Sequence, residues 1–409
     1  MVGGVWVSKK AEIRYETVKD FINGKISRKH TASSLGITER PVTNLANKVR
    51  RLGLPGAIHG NHDRAPKHKK PTVMKAKAAR LKEEKYFDYN ISHTMDKFEQ
   101  NETDLAMSYS TFYRWCTSLG LGKHKQKRRK KVTKKLRVRY KQEGFLVQMD
   151  GSPHIWFGDQ ESCLIIMIDD ATIKIVAAQF WPTETTMGYL SVLKECVSNH
   201  GIPGFIYTDG AGIYGGQKRQ GFSHFDASCG ELGSKVIYAS SPEAKGRVER
   251  CKRTFQDRLI PELRSAGITK MGEANAFLKN FLKTDWEKYF VVEAAEADSA
   301  FKPLPIHKSL KQICSVKHER EIKKNCTISF EGVIYSLSSM PNEPKISSNS
   351  AQIRLYPDGS WAVFVENRLV SLTVAPKSNQ PDSRYMQKVR RGNANLLIHG
   401  RQEPLLKTG

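Results

Sequence analysis

At 409 residues the chain is too long for one average core, so two to four domains are expected. Its 67 Lys+Arg against 41 Asp+Glu leave a net charge of +26, which would repel itself in a compact chain unless a polyanion neutralises it; nucleic acid is the obvious partner. No stretch approaches about 18 uninterrupted apolar residues and the N-terminus has no apolar signal core, so neither a membrane span nor a secreted precursor is expected.

Residues 1–60 read as a helical DNA-binding unit. Ile13, Val18, Phe21 and Ile22 give a first helix over Ala11–Asn23 an apolar stripe, and Gly24 ends it. A short second helix starts near Ser27, Gly36 makes a turn, and Thr38 is an N-cap for a third helix through Arg51. This is the layout of a helix-turn-helix, with a plain three-helix bundle as the alternative. The third helix exposes Glu39, Arg40, Thr43, Asn44 and Lys48, residue types that reach base edges and phosphates. The Gly-, Pro- and Lys-rich stretch Gly53–Pro71 reads as a linker, and its His59, His62 and His68 have no acid or cysteine at metal-binding spacing.

A second helical DNA-binding unit is expected over 61–121. It has one long helix from Val73 to Tyr89 and a second one capped by Ser108, with Phe112, Trp115 and Leu119 inward. Tyr109, Ser110, Tyr113 and Arg114 would then face DNA. The linker 122–143 is the most basic part of the chain. Twelve of the nineteen residues Lys123–Lys141 are Lys or Arg, among them Lys127, Arg128, Arg129 and Lys130, and none is acidic; such a block is suited to tracking a phosphate backbone.

From 144 to 300 short apolar runs alternate with helical patterns. "FLVQMD", "CLIIMIDD", "TIKIVAAQFW", "GFIYTD" and "SKVIYAS" read as strands, the first ending in Asp150 and the fourth in Asp209. Helices are expected over Thr183–His200 and Arg247–Arg264. The order β-β-β-α-β-α-β-α is that of an RNase H-like α/β core. Residues 301–375 read as short alternating strands of a small β-barrel with a "PDGSW" hairpin turn, and 376–409 as a basic, disordered tail. The seven cysteines (Cys116, Cys163, Cys196, Cys229, Cys251, Cys314, Cys326) are scattered and odd in number. With no C-x-x-C pair they suggest ordinary thiols in a reducing compartment.

Three acids stand out: Asp150, Asp209 and Glu249, the last in the first turn of the helix after the fifth strand. If strands one and four are neighbours, both aspartates converge at one sheet edge and the helix brings Glu249 over it. Carboxylates so crowded need a hard divalent cation. Two Mg²⁺ ions about 3.5–4 Å apart clamp the attacking and leaving oxygens of an in-line phosphoryl displacement. Asp169 and Asp170 sit in a hairpin turn that favours Asp for local hydrogen bonding, which reads as structural. Glu243 competes with Glu249 on spacing but precedes the "KG" loop, whereas "VER" lies on the helix.

"VQMDGSPHIWFG", "IDDAT", "YTDGAGIYGG" and "KGRVERCKRTFQDRL" resemble the catalytic core of DDE transposases and retroviral integrases, with bacterial insertion-sequence transposases of the ISNCY type the closest likeness. The resemblance covers residues 15 to 375. Fifty-eight residues separate the two aspartates and 39 separate Asp209 from Glu249; the longer second gap is read as a small insertion at Ser223–Gly233. It implies that Asp150, Asp209 and Glu249 are catalytic metal ligands for Mg²⁺ or Mn²⁺, and that Lys245, Arg247, Arg250 and Arg253 hold the substrate strand. His154 and Trp156 would shape the site. Family members often carry an acid where this chain has Ile155, so no fourth acid is expected. The zinc-binding His/His/Cys/Cys module of integrases is missing, which favours a transposase. Such an enzyme would cut its element's ends and join the 3′-hydroxyl to target DNA, as a homodimer or larger assembly on double-stranded DNA in a bacterial cytoplasm, associated with the nucleoid. The alternatives are a same-fold nuclease without joining activity and a catalytically silent, transposase-derived DNA-binding regulator.

Overall fold

The computed structural model describes residues 9–59, 69–121, 139–208, 223–238 and 246–375. The chain divides into two compact units, residues 1–77 and 78–409. In the first, α1 (Lys9–Ile22), α2 (Arg28–Leu35) and α3 (Glu39–Leu52) form the expected three helices. The Ser27 side chain accepts from the His30 amide, and Gly36 closes α2 at φ 65°, a left-handed conformation that glycine adopts without strain. Val18, Leu45, Ala46, Val49 and Ala57 make the small core. The last of these corrects the linker reading of Gly53–Pro71, because residues 54–57 form a further helical turn, α4 (Leu54–Ala57). It lies so close to α3 that a Cβ on Gly56 would stand 2.4 Å from the Lys48 carbonyl oxygen.

The second unit takes up the chain within α5 (Thr72–Glu84), which stops short of the expected Tyr89. The buried Lys82 ammonium explains the stop, since it donates to the carbonyls of Tyr86 (2.6 Å), Phe87 (3.3 Å) and Tyr89 (2.6 Å) and so satisfies a turn that leaves the helix. The next helix, α6 (Ile91–Asn101), is not evident in the apolar pattern; Asn90 caps it. In α7 (Tyr109–Leu119) Ser108 is the expected cap, but Phe112 and Cys116 are the buried pair, and Leu119 is 47% exposed rather than inward.

The core follows in the anticipated order: β1 (Leu146–His154), β2 (Ser162–Asp169), β3 (Ile175–Trp181), α8 (Thr186–Asn199), β4 (Phe205–Thr208), α9 (His224–Leu232), β5 (Lys235–Tyr238), α10 (Gly246–Ser265) and α11 (Met271–Phe281). The Ser223–Gly233 stretch read as an insertion is α9 with its caps. In space the strands run β3-β2-β1-β4-β5, antiparallel on the β3 side of β1 and parallel on the β4 side. β2 is buried along its whole length because each face meets a different core. Cys163, Ile165 and Met167 join the cluster around α8, while Leu164, Ile166 and Ile168 join one built on Val248, Cys251, Phe255, Leu259 and Leu263 of α10 and on α11. A π-helical turn at Leu282–Trp286 leads into α12 (Glu287–Phe290). Trp286 stacks on Phe255 at 4.6 Å and donates its indole N–H to the Ile173 carbonyl at 3.0 Å.

After α13 (Leu310–Ile313) come β6 (Val316–Glu321), β7 (Thr327–Phe330), β8 (Val333–Ser338), β9 (Ser350–Leu355), β10 (Trp361–Val365), β11 (Arg368–Leu369) and β12 (Ser371–Val374). The expected "PDGSW" turn joins β9 to β10, with Asp358 accepting from the Ser360 amide at 3.0 Å. A closed barrel is not found among the described residues. The strands form a four-stranded sheet, β11-β10-β9-β6, and a three-stranded sheet, β12-β8-β7. The chain passes from one sheet to the other between β11 and β12, at Val370, whose amide still bonds to Val363 while the next residue pairs with β8. A strand that switches sheets makes such a corner where two sheets pack; Trp361 of one sheet meets Phe330 and Tyr335 of the other. Their inner residues continue the cluster around α8 and α9.

α6 docks on α10 and the turn after α11 through charges that the sequence does not pair by spacing. His93 Nε2 lies 2.7 Å from Glu262, and Lys97 Nζ lies 2.8 Å from Glu262 and 3.0 Å from Asp285. Arg258 reaches Asp96 at 2.5 Å and Arg264 reaches Asp88 at 2.7 Å. Burial opposes the Lys97 charge, but bonds to Glu262 and Asp285 outweigh it and raise its pKa. Burial dominates at His93 and lowers its pKa despite Glu262, and its Nδ1 meets no partner. The unfolded chain therefore binds the His93 proton first on acidification, so stability rises with pH up to about 6.5 and is lost below it. The thermal midpoint is expected to fall as pH drops below this value, and His93→Gln, which keeps a donor for Glu262, is expected to flatten that fall. An equally steep fall in the variant would assign it to other groups.

Candidate active site

Alternate residues of a strand point to opposite faces, and on β1 the two faces differ in character. Val147 and Met149 enter the apolar cluster around α8. Gln148 and Asp150 meet the start of α10: Gln148 Oε1 accepts from the Val248 amide at 3.3 Å, and the Asp150 carboxylate pairs with the Lys252 ammonium. Asp150 is only 6% exposed, so this pairing matters, because a buried carboxylate without a partner is costly. Glu249 follows Val248 directly, is exposed, and stands one helical turn before Lys252. β1 continues to His154, so Asp150 lies within the strand and not at its end as read from the sequence. The neighbouring Gly151 faces α8, where a Cβ would come within 2.6 Å of Glu184 Oε1 and 2.8 Å of the Tyr189 hydroxyl.

β4 lies beside β1 as expected, in parallel register Leu146↔Phe205, Val147↔Ile206 and Gln148↔Tyr207. Asp209, next after the last residue of β4, lies outside the described residues, as do Glu243, Lys245, the side chain of Arg247 and Lys127, Arg128, Arg129 and Lys130. Among the described residues no group of three or more His, Cys, Asp and Glu is gathered to hold a metal ion. Arg250 and Arg253 are exposed on α10.

Asp169 behaves as the turn residue it was read to be. It accepts from the Thr172 amide and hydroxyl, both at 2.8 Å, and from the Gly144 amide at 2.8 Å. Burial nevertheless raises its pKa. Asp170 does more than serve the turn: it accepts from Gln148 Nε2 at 2.6 Å and the Tyr140 amide at 3.1 Å. Trp156 is buried in the α10 core with its indole N–H on the Ser152 carbonyl at 2.9 Å, so it packs beneath the site and does not line it. His154 is half-buried against its edge.

In the first unit Arg40, Thr43, Asn44 and Lys48 are exposed on α3, opposite the buried Val42, Leu45, Ala46 and Val49; Asn47 and Arg51 are also exposed there. On α7 Tyr109 and Tyr113 are exposed and stacked at 6.0 Å, with Arg114 beside them. Gln148 and Lys252 had no place in the sequence reading, and Asp170 had only a turn role there. The signal was the alternation in "LVQMD", where polar residues occupy one face of an otherwise apolar strand.

Two curated relatives cover much or nearly all of the chain. A Sinorhizobium fredii protein named as a transposase, y4bF, is 28% identical over 419 residues, spanning 95% of this chain and 91% of that one. The transposase for insertion sequence IS1202 of Streptococcus pneumoniae is 29% identical over 319 residues, 68% of each chain. The chain is thus similar over nearly its whole length to one protein named as a transposase and over about two thirds of it to the transposase of an insertion sequence. No family model matches it. Solved structures give a looser likeness. The HTLV-2 integrase catalytic core in complex with magnesium (dimeric form) aligns at TM-score 0.29 and 18% identity, covering 35% of this chain and 89% of that one. The simian T-cell lymphotropic virus intasome in complex with PP2A regulatory subunit B56 gamma aligns at TM-score 0.33 and 14% identity, covering 73% and 100%. Among the described residues no helix is long and apolar enough to cross a membrane.

Proposed function

We propose that the chain is a DDE transposase that binds its element's ends, cleaves them and joins the freed 3′-hydroxyl to target DNA, with Asp150, Asp209 and Glu249 as its acids. The observation that carries the reading is the meeting of β1 and α10, which sets the buried Asp150 beside the helical turn bearing Glu249. The register supports Asp209 as the third: β1 and β4 pair at an offset of 59 (205 − 146), and Asp209 and Asp150 are also 59 apart (209 − 150). Transposase relatives along most of the chain support the activity.

The residues suit a hard divalent cation. The donors are carboxylate oxygens, and Asp150 already carries a cationic partner in Lys252. Mg²⁺ or Mn²⁺ bound by the three acids, in two ions per site, would lower the pKa of the attacking water or hydroxyl and offset charge on the phosphoryl oxygens. The protein's own groups bind and orient the DNA. Arg40, Thr43, Asn44 and Lys48 of α3 read the element's ends, Tyr113 and Arg114 add a second contact, and Lys127, Arg128, Arg129 and Lys130 follow the phosphate backbone. Lys245, Arg247, Arg250 and Arg253 hold the strand to be cut. Two ends must be handled together, so a homodimer or larger assembly on double-stranded DNA is implied, at the bacterial nucleoid.

The test is purified protein with Mg²⁺ and a plasmid carrying the DNA that flanks the gene. Nicks at the flank boundaries and joined products are expected. Cutting without joining would leave a nuclease, and tight flank binding with no metal-dependent cutting would leave a DNA-binding regulator.

A further inference from the structure

Behind Asp150 lies a chain of buried polar groups that the proposed reaction does not use directly. Gln148 and Asp170 are each only 1% exposed, and Gln148 stands between two partners of opposite demand. Its Nε2 donates to Asp170 Oδ1 at 2.6 Å, and its Oε1 accepts from the Val248 amide at 3.3 Å. Asp170 Oδ2 accepts from the Tyr140 amide at 3.1 Å, near the end of the basic linker.

We propose that Gln148 and Asp170 are positioning residues that fix the first turn of α10, and with it Glu249, against β1 beside Asp150. The proposal rests on the reading of Asp150 and Glu249 as acids of one site. Donors and acceptors dictate the arrangement. An amide side chain has one end of each kind and can sit either way round. A carboxylate only accepts, so Asp170 draws the NH₂ end of Gln148 and leaves the oxygen facing α10. There it meets one of the first-turn amides that a helix cannot pair internally. Val248 is thereby tied to β1 at the position adjoining Glu249. Lys252 on Asp150 makes the second tie one turn later, and the two bracket Glu249. A pair of apolar side chains would fill the same interior without the cost of desolvating an amide and a carboxylate. What it would not do is set the angle of α10.

The same donor and acceptor rules supply the test. Asp170→Asn leaves two donors opposed, either at Tyr140 or between Gln148 and Val248, whichever way the amides turn. Gln148→Glu sets two carboxylates together. The double variant restores all three bonds. Its new carboxylate at position 148 accepts from Val248 and from the new side-chain NH₂ at position 170, whose amide oxygen accepts from Tyr140.

The measurements, made on the full chain, are amide exchange at Val248, Mn²⁺ affinity by calorimetry and the rate of DNA cleavage. Each single variant is expected to speed Val248 exchange and to weaken Mn²⁺ binding or cleavage by about 10-fold or more; the double variant is expected to recover exchange, affinity and rate. Unchanged Val248 exchange in both single variants would overturn the proposal, as would a double variant no better than the worse single one. Single variants that melt, with Mn²⁺ affinity intact in the folded fraction, would make the network structural only and overturn it as well. Wild-type protein that neither binds Mn²⁺ nor cuts would instead sink the acid-site reading. The exchange at Val248 still decides whether this pair sets the helix.

Discussion

Asp150→Asn is expected to slow metal-dependent DNA cleavage by at least about 10³-fold while leaving the fold and DNA binding in place. The substitution keeps the size of the side chain and an oxygen for Lys252, so β1 and α10 still meet. It removes the negative charge that would draw a divalent cation to the sheet. Loss of one preorganised electrostatic group at a reacting centre commonly costs about 10²–10³ in rate, and loss of a cation that stabilises charge and activates the nucleophile adds to this. Glu249→Gln and Asp209→Asn should fail to a similar degree, because acids that share metal ions act as a unit. Asp169→Asn should behave differently. Its carboxylate serves Gly144 and Thr172, so the loss should appear in thermal stability more than in rate. The measurement is single-turnover cleavage of an end-containing duplex with Mg²⁺, beside circular dichroism and a DNA-binding titration. Cleavage by Asp150→Asn at the wild-type rate would put the chemistry elsewhere in the chain.

Glu262→Ala should cost about 3–5 kcal/mol of stability, the usual penalty for removing one partner of a buried ion pair. Glu262 meets both His93 and Lys97, and all three are largely shielded from water. Without it Lys97 retains Asp285 but loses the nearer carboxylate, and the His93 ring faces an empty polar site. Glu262→Gln should be milder, since its amide oxygen still accepts from either neighbour. Urea unfolding with matched m-values compares the two. A Glu262→Ala loss under about 1 kcal/mol would mean that α6 is not held on α10 through this cluster. The cluster also joins the α6 segment to the helix that carries Glu249 thirteen residues earlier (262 − 249), so Glu249→Gln and Glu262→Ala probe opposite ends of one element.

Much of the local structure was legible because it depends on neighbours in the chain. Ser108 caps its helix as read from the sequence, whereas Thr38 stands at the expected cap position without a side-chain bond, and the caps at Ser27 and Asn90 were not read as such. The apolar period of Val248, Cys251, Phe255 and Leu259 marked α10, and the unbroken run in β2 marked a strand covered on both faces. α6 was missed because its buried residues are His93, Thr94, Lys97 and Phe98, a mostly polar set that looks like a surface until its partners are known. Whether the C-terminal strands close into a barrel was not legible for a related reason. Alternation identifies strands, but the sheet each joins depends on where the chain turns, and Val370 turns it from one to the other.

The sequence by itself determined the three acids as candidates, the order of the core's elements and the exposed face of α3, because side-chain type, spacing and periodicity are properties of the chain alone. Only the tertiary structure decided that β1 and β4 are parallel neighbours, that Lys252 is the partner of Asp150, and that Asp169 serves a turn while Asp170 serves Gln148. Two adjacent aspartates are identical as letters. They part because successive positions at a strand end face opposite ways, and burial then obliges each carboxylate to take the donors its own side supplies.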